Sequence, residues 1–140
     1  MSTKSEKLTA NKKKDIIFSD FAMNLNVHPG TGQLIRITNE KAINSRLKTL
    51  LLTNAGERLY QPLLGGNIRA TLFEPIDNFT ANDLKDNIRT TIFNSEPAIE
   101  RVNISVTPNF DQNSYDVLIE YMVNNEDAIY NLELTLVRTR

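Results

Sequence analysis

The chain contains no cysteine in its 140 residues, which removes disulfide bonds, thiolate-bound zinc and thiol nucleophiles together. The same absence fits a reducing compartment. No apolar run approaches the roughly 18 residues that a membrane-spanning helix requires, and no signal-like hydrophobic stretch follows the amino terminus. Synthesis and use in the cytosol are therefore expected, unless a larger particle carries the protein elsewhere. Histidine occurs once, as His28 before Pro29. A general base would need a nucleophile or an orienting carboxylate beside it, so a surface histidine is the simpler reading. The HExxH, DxDxDG and GxxxxGKS patterns are missing, and Gly30-Thr31-Gly32 is a fragment of a glycine loop without a third glycine or a βαβ setting. No metal and no cofactor is expected.

What is present is ordinary for one globular domain: 40% apolar and 24% charged residues. The net charge of −1 hides an asymmetry. Residues 1–14 hold five lysines against Glu6, a net of +4, which leaves 11 basic and 16 acidic groups, a net of −5, for the rest. This Ser/Thr/Lys/Asn-rich start has too little apolar surface to offset ordering entropy and reads as a flexible basic tail. Lys12-Lys13-Lys14 is too short a tract, with no aromatic platform behind it, to favour nucleic acid as a partner.

Residues 15–140 read as one α+β domain. Phe21, Met23, Leu25 and Val27 alternate with polar residues, predicting a strand or an N-terminal extended arm, and His28 to Gly32 interrupt it as a loop. Leu34, Ile35 and Ile37 then lead into a helix over about 39–54, with Thr38 or Asn39 as N-cap and Ile43, Leu47, Leu50 and Leu51 as its apolar stripe. A second helix is expected over about 80–94. Thr80 and Asp83 have capping-box spacing, Ala81, Leu84, Ile88 and Ile92 trace an apolar face, and Pro97 turns Glu96 toward extended geometry. The period then changes to two. Strands are expected over about 99–107, stopping at Pro108, then 115–123 and 128–137, joined by Asn/Asp-rich links at 109–114 and 124–127. Two main helices would pack on this C-terminal three-stranded antiparallel meander. In sequence order the last strand lies at an edge, where free N–H and C=O groups around Leu132, Leu134 and Leu136 form a template for strand addition. Glu133, Arg138 and Arg140 could equally be ordinary protection of that edge.

Between the helices stands the most distinctive stretch. Gly56 occupies a C′-like position after Leu50-Leu51-Leu52-Thr53, followed by Glu57-Arg58, Tyr60, Pro62, Gly65-Gly66, a short helical turn over 68–73 and Leu72-Phe73-Glu74-Pro75. The pattern "LLLT, G-E-R, aromatic, x-P, x-x-G, L-F-E" resembles the small baseplate wedge protein family of contractile-tailed phages, with relatives in type VI secretion baseplates. The resemblance covers roughly residues 20–136. Family members usually read Glu-Pro-Arg where this chain has Glu96-Pro97-Ala98, which puts any contact made by that arginine in doubt; Arg101 is a candidate replacement. The resemblance implies a structural subunit of the virion tail baseplate, assembled in the host cytoplasm. Its expected partners are other wedge proteins and the tail sheath, with its C-terminal sheet starting sheath assembly; no membrane and no small-molecule substrate is implied.

Similar proteins have been labelled tail lysozymes, so a peptidoglycan-cleaving enzyme is the alternative. A glycoside hydrolase needs two carboxyl groups about 5 to 10 Å apart, one of raised pKa. Glu57, Glu74, Glu96 and Glu100 are available, but each has a simpler role: Glu57 pairing with Arg58 or a helix end, Glu74 preceding a proline, Glu96 closing a helix. The candidate site residues are therefore those of a partner interface: Gly56, Glu57, Arg58, Pro62, Glu96, Pro97, Leu132, Leu134 and Leu136. For Glu57-Arg58 and for Glu96-Pro97, a purely internal bracing role stands beside that interface reading.

Overall fold

The computed structural model describes residues 18–124 and 127–138. The basic segment 1–14, residues 125–126 of the second hairpin link and Arg140 lie outside the described residues. Two short strands, β1 (Ser19–Phe21) and β2 (Arg36–Thr38), pair antiparallel and precede α1 (Glu40–Leu52). A single turn, α2 (Ile68–Thr71), leads to the long α3 (Asn78–Ser95). The chain finishes with β3 (Ile99–Asn109), β4 (Ser114–Val123) and β5 (Ile129–Val137), an antiparallel sheet in the order β3-β4-β5.

The core lies between the helices and one face of this sheet. Ile43, Leu47 and Leu51 of α1 and Leu84, Ile88 and Ile92 of α3 meet Tyr115, Val117, Ile119, Tyr121 and Val123 of β4, with Tyr130, Leu132 and Leu136 of β5 beside them. Each large side chain removed from water contributes about 1.5–3 kcal/mol, so the 3.6-residue and two-residue periods meet in one apolar layer. Tyr121 is buried yet satisfied, since its hydroxyl donates to Asn44 Oδ1 at 2.8 Å.

Several local expectations are corrected. The 21–27 alternation does not make a strand, because β1 ends at Phe21 and Leu25 takes a positive φ; Leu34 bridges Val27, and Arg36–Thr38 return to pair with β1. The arm is thus a small hairpin. Asn39 does sit at the N-cap of α1, but its side chain accepts from Phe18 N instead of capping the helix. The second main helix starts earlier than 80, because Asp77 is its N-cap and accepts the Thr80 N–H, leaving Thr80 inside the first turn. An aspartate needs only its short carboxylate to reach that N–H, and it outcompetes the threonine.

Strand β3 runs through Pro108 to Asn109. The ladder explains this. Arg138 N donates to Asn113 O outside the pair Ser114 and Val137, so that pair is of the non-hydrogen-bonded kind. Alternation then directs the backbone groups of Tyr115, Val117, Ile119 and Tyr121 toward β5 and those of the even-numbered β4 residues toward β3. Pro108, opposite Tyr115, therefore turns its nitrogen to the outer edge, where a missing N–H breaks nothing.

Candidate interaction surfaces

The segment after α1 is a closed loop. Gly66 N donates to Thr53 O and Gly56 N to Pro62 O, so both ends and the middle are tied. Gly56 is not the C′ residue, since the C-cap is Thr53. It is instead the third residue of a turn closed by Glu57 N to Asn54 O, with φ +89°, the position of a type II turn that requires a left-handed conformation. Glu57 does not pair with Arg58. Its carboxylate accepts Asn54 N at 2.9 Å and Asn54 Nδ2 at 2.7 Å, and the backbone bond is the chief reason its pKa is held below the usual range. Arg58 donates to Gln61 Oε1 at 3.1 Å. These bonds display Leu59, Tyr60 and Leu63 at the tip, each more than 90% exposed. Their display was not foreseen, although three large apolar side chains in a proline-bearing loop are its visible signal.

Gly65 and Gly66 bring this loop against its neighbours. A Cβ on Gly65 would strike Thr53 O, and one on Gly66 would strike Thr91 Oγ1 of α3. The loop therefore ends in contact with both main helices.

Arg58 and Glu96, candidates 38 residues apart in sequence, line one cleft of about 390 Å³ with Asp20, Arg46 and Gln61. Glu96 is the buried C-cap of α3, and its Oε2 lies 3.0 Å from Arg46 Nη2. Arg46 was not singled out by sequence. It sits on α1, and only the packing of α1 beside α3 brings it there. Pro97 is exposed, and its carbonyl accepts Asn124 Nδ2 at 2.8 Å, clipping the entry of β3 to the end of β4. Arg101 pairs in register with Met122, on the sheet face away from the core, whereas Glu96 is turned inward.

On the sheet, Leu132 and Leu136 are buried and Leu134 packs partly against the core. All three have odd-numbered β4 partners, so their N–H and C=O groups bond to β4. The open edge of β5 is offered by the alternate residues Ile129, Asn131, Glu133, Thr135 and Val137. Asn44 of α1 already donates to Asn131 O at 3.3 Å, so the uncovered part is Glu133 to Val137. These sheet residues lie apart from the 58–96 cleft.

The four candidate glutamates do not meet one another, although Glu100 shares its depression with Glu120. Glu74, Glu96 and Glu100 line three different depressions, and Glu57 is engaged by Asn54. Glu74 shares its polar depression with Asp83 and Asp86. His28 Nδ1 accepts the Gly30 N–H in an exposed loop. Among the described residues no group of three or more His, Cys, Asp or Glu is placed to hold a metal ion, and no helix is long and apolar enough to cross a membrane.

Comparison with known proteins accords with this geometry. Baseplate wedge protein gp25 of Enterobacteria phage T4 is 29% identical over 97 residues, spanning 69% of this chain and 74% of the phage protein. Among solved structures, a Geobacter sulfurreducens protein described as a tail lysozyme superposes with TM-score 0.66 at 24% identity, over 72% of this chain and 92% of that one. A chain of the anti-feeding prophage baseplate gives 0.59 at 17%, over 88% and 87%. A chain of the type VI secretion baseplate complex gives 0.56 at 18%, over 69% and 92%. At these identities the three structures speak to fold alone. The family profile described as baseplate wedge protein gp25 matches residues 38–128, from the end of β2 through α1, the closed loop, α3, β3 and β4. With well over half its length matched to that profile, the chain belongs to the baseplate wedge protein gp25 family.

Proposed function

We propose that this chain is a structural subunit of a contractile-tail baseplate wedge that starts sheath assembly by offering the open edge of β5 to a strand of the first sheath ring. The observation that carries the reading is the register. Glu133, Thr135 and Val137 direct their backbone groups away from β4 at the outer edge of a nine-residue strand, and such an edge is a template for an added strand. Contacts with other wedge proteins fall to a different surface, where the loop tip carries Leu59, Tyr60 and Leu63 and the β1–β2 hairpin exposes Phe21, Met23, Leu25 and Val27. Gly56, Glu57, Arg58, Pro62, Glu96 and Pro97 hold this surface in shape. Large apolar anchors on a tied loop suit a stable protein interface. No catalytic step is involved.

The test is assembly of particles carrying Thr135→Pro. Because this N–H points outward, the substitution leaves the β4 ladder intact; Leu134→Pro would instead remove a bond to β4. Baseplates carrying Thr135→Pro are expected to incorporate the subunit and to lack polymerised sheath in electron micrographs. Sheath of normal length on those baseplates overturns the reading. The peptidoglycan-cleaving alternative loses support from the separation of Glu57, Glu74, Glu96 and Glu100. It would be established by release of wall fragments from purified peptidoglycan that a single glutamate substitution abolishes.

A further inference from the structure

We infer that the strand accepted at β5 is a segment that alternates apolar with basic residues, its Lys or Arg lying beside Glu133 on the outer face of the sheet. The inference rests on the proposed acceptor role of β5 and adds the chemistry of what is accepted. It also assigns the acceptor edge to β5 rather than β3.

The two edges differ physically. β3 has a register irregularity between Ile99 and Arg101, carries Pro108 with its nitrogen on the outer edge, and packs along α3. A strand arriving there would meet a break at one end and a missing donor at the other. β5 pairs with β4 in continuous register from Ile129 to Val137, and α1 reaches its edge through Asn44 at Asn131. From Glu133 onward the edge is regular.

The two faces of that edge ask for different side chains. On the core side the last layer is Leu132, Leu134 and Leu136, and Leu134 is only partly covered. An added strand would finish this layer with apolar residues at every second position. On the outer face, the positions in register are Arg101, Asn103, Ser105 and Thr107 of β3, Asp116, Leu118, Glu120 and Met122 of β4, and Ile129, Asn131, Glu133, Thr135 and Val137 of β5. Three carboxylates, Asp116, Glu120 and Glu133, thus share the face with one guanidinium. Asp116 accepts from Thr135 Oγ1 at 3.1 Å and Glu120 from Asn103 Nδ2 at 2.9 Å, both uncharged donors. Arg101 is two strands away and four register positions along from Glu133, because Arg101 leads through Met122 to Ile129 while Glu133 leads through Leu118 to Ser105. At about 4.8 Å per strand, that is beyond the reach of a direct pair. Glu133 is exposed and stands at the edge, so a cation directly across from it forms a favourable cross-strand pair, whereas a carboxylate there is repelled.

The measurement uses the full chain and two soluble eight-residue peptides, one alternating valine with lysine and one alternating valine with glutamate. The lysine peptide is expected to bind at least ten-fold more tightly, to weaken as salt is raised, and to slow hydrogen exchange at the Glu133 and Thr135 amides. Glu133→Lys should reverse the preference between the peptides. Equal binding of the two, protection at Val102 and Ile104 in place of β5, or self-association of the chain through β5 would each overturn the inference. Particles separate it from the role it rests on. If Thr135→Pro stops sheath growth and Glu133→Lys leaves it unchanged, the charge rule fails while the acceptor role stands; if Thr135→Pro also leaves it unchanged, the role itself fails.

Discussion

The Arg46 guanidinium of α1 lies 3.0 Å from the carboxylate of Glu96, the residue that closes α3. The two side chains are unequal in environment, 44% and 9% exposed. The arginine is readily hydrated without its partner, and the glutamate far less so. Arg46→Ala is therefore expected to lower stability by about 1–3 kcal/mol, the cost of leaving a mostly buried acceptor without its charged donor. Glu96→Gln, which removes the charge and keeps an acceptor, should cost less. Urea denaturation of the two variants and their double mutant measures the coupling, and an Arg46→Ala variant as stable as the parent would show that the pair holds nothing together.

A second expectation concerns pH. Asp77 caps α3, and the backbone N–H of Thr80 is the main reason its carboxyl is held below the ordinary range. A lowered folded-state pKa stabilises the protein above the unfolded value, and the benefit is lost as pH falls through the folded one. Asp77→Asn retains a good cap without the charge, so its stability should be less sensitive to pH on the acid side. Asp77→Ala should lower the thermal midpoint at neutral pH as well. Thermal melts between neutrality and strongly acid pH decide the matter, and identical acid profiles for Asp77→Asn and the parent would remove Asp77 from the account.

On the alkaline side the most strongly shifted group is Tyr121, with Tyr115 raised in the same direction by burial. Burial is the largest influence raising the Tyr121 phenol pKa, aided by the charge of Glu40. The unfolded phenol ionises first, so stability is fully present below the ordinary phenol pKa and is lost as pH climbs past it. Tyr121→Phe should flatten this alkaline decline. It should also cost about 1–2 kcal/mol at neutral pH, since Asn44 Oδ1 loses its donor. Phenolate absorbance during a pH titration gives the check: early ionisation of every tyrosine in the folded protein would contradict it.

The Gly66 contact offers a steric test. A Cβ there meets Thr91 Oγ1, with Thr91 Cβ and Cγ2 at 3.3 Å. Gly66→Ala should destabilise by about 1–3 kcal/mol, the usual cost of overpacking, and Thr91→Ala introduced with it should recover most of the loss. If the pair is merely additive, the loop does not press on α3 there.

Much of the architecture is legible locally. The stripe Ile43, Leu47, Leu50 and Leu51 and the face Ala81, Leu84, Ile88 and Ile92 are all buried, because a 3.6-residue period can satisfy only one apolar neighbour. The three C-terminal strands follow from the two-residue period in the same way. Local reading failed where several residues could perform one task. Asp77 and Thr80 both suit an N-cap, and Gly56 suits both a helix end and a tight turn; which one serves depends on where the neighbouring chain leaves room. The 21–27 alternation misled because a hairpin and a longer strand present the same spacing over a few residues.

The sequence by itself determined the α+β class, the two main helices, the meander and the family resemblance, since each depends on periodicity or on order along the chain. Only the tertiary structure decided that Arg46 meets Glu96, that Arg58 and Glu96 share one cleft, and that the backbone groups of Leu132, Leu134 and Leu136 are turned to β4 while Glu133, Thr135 and Val137 face outward. Those relations join residues far apart in the chain or depend on hydrogen-bond phase. The side-chain pattern specifies which face of β5 is buried; the pairing with β4 decides which of its backbone groups remain at the edge.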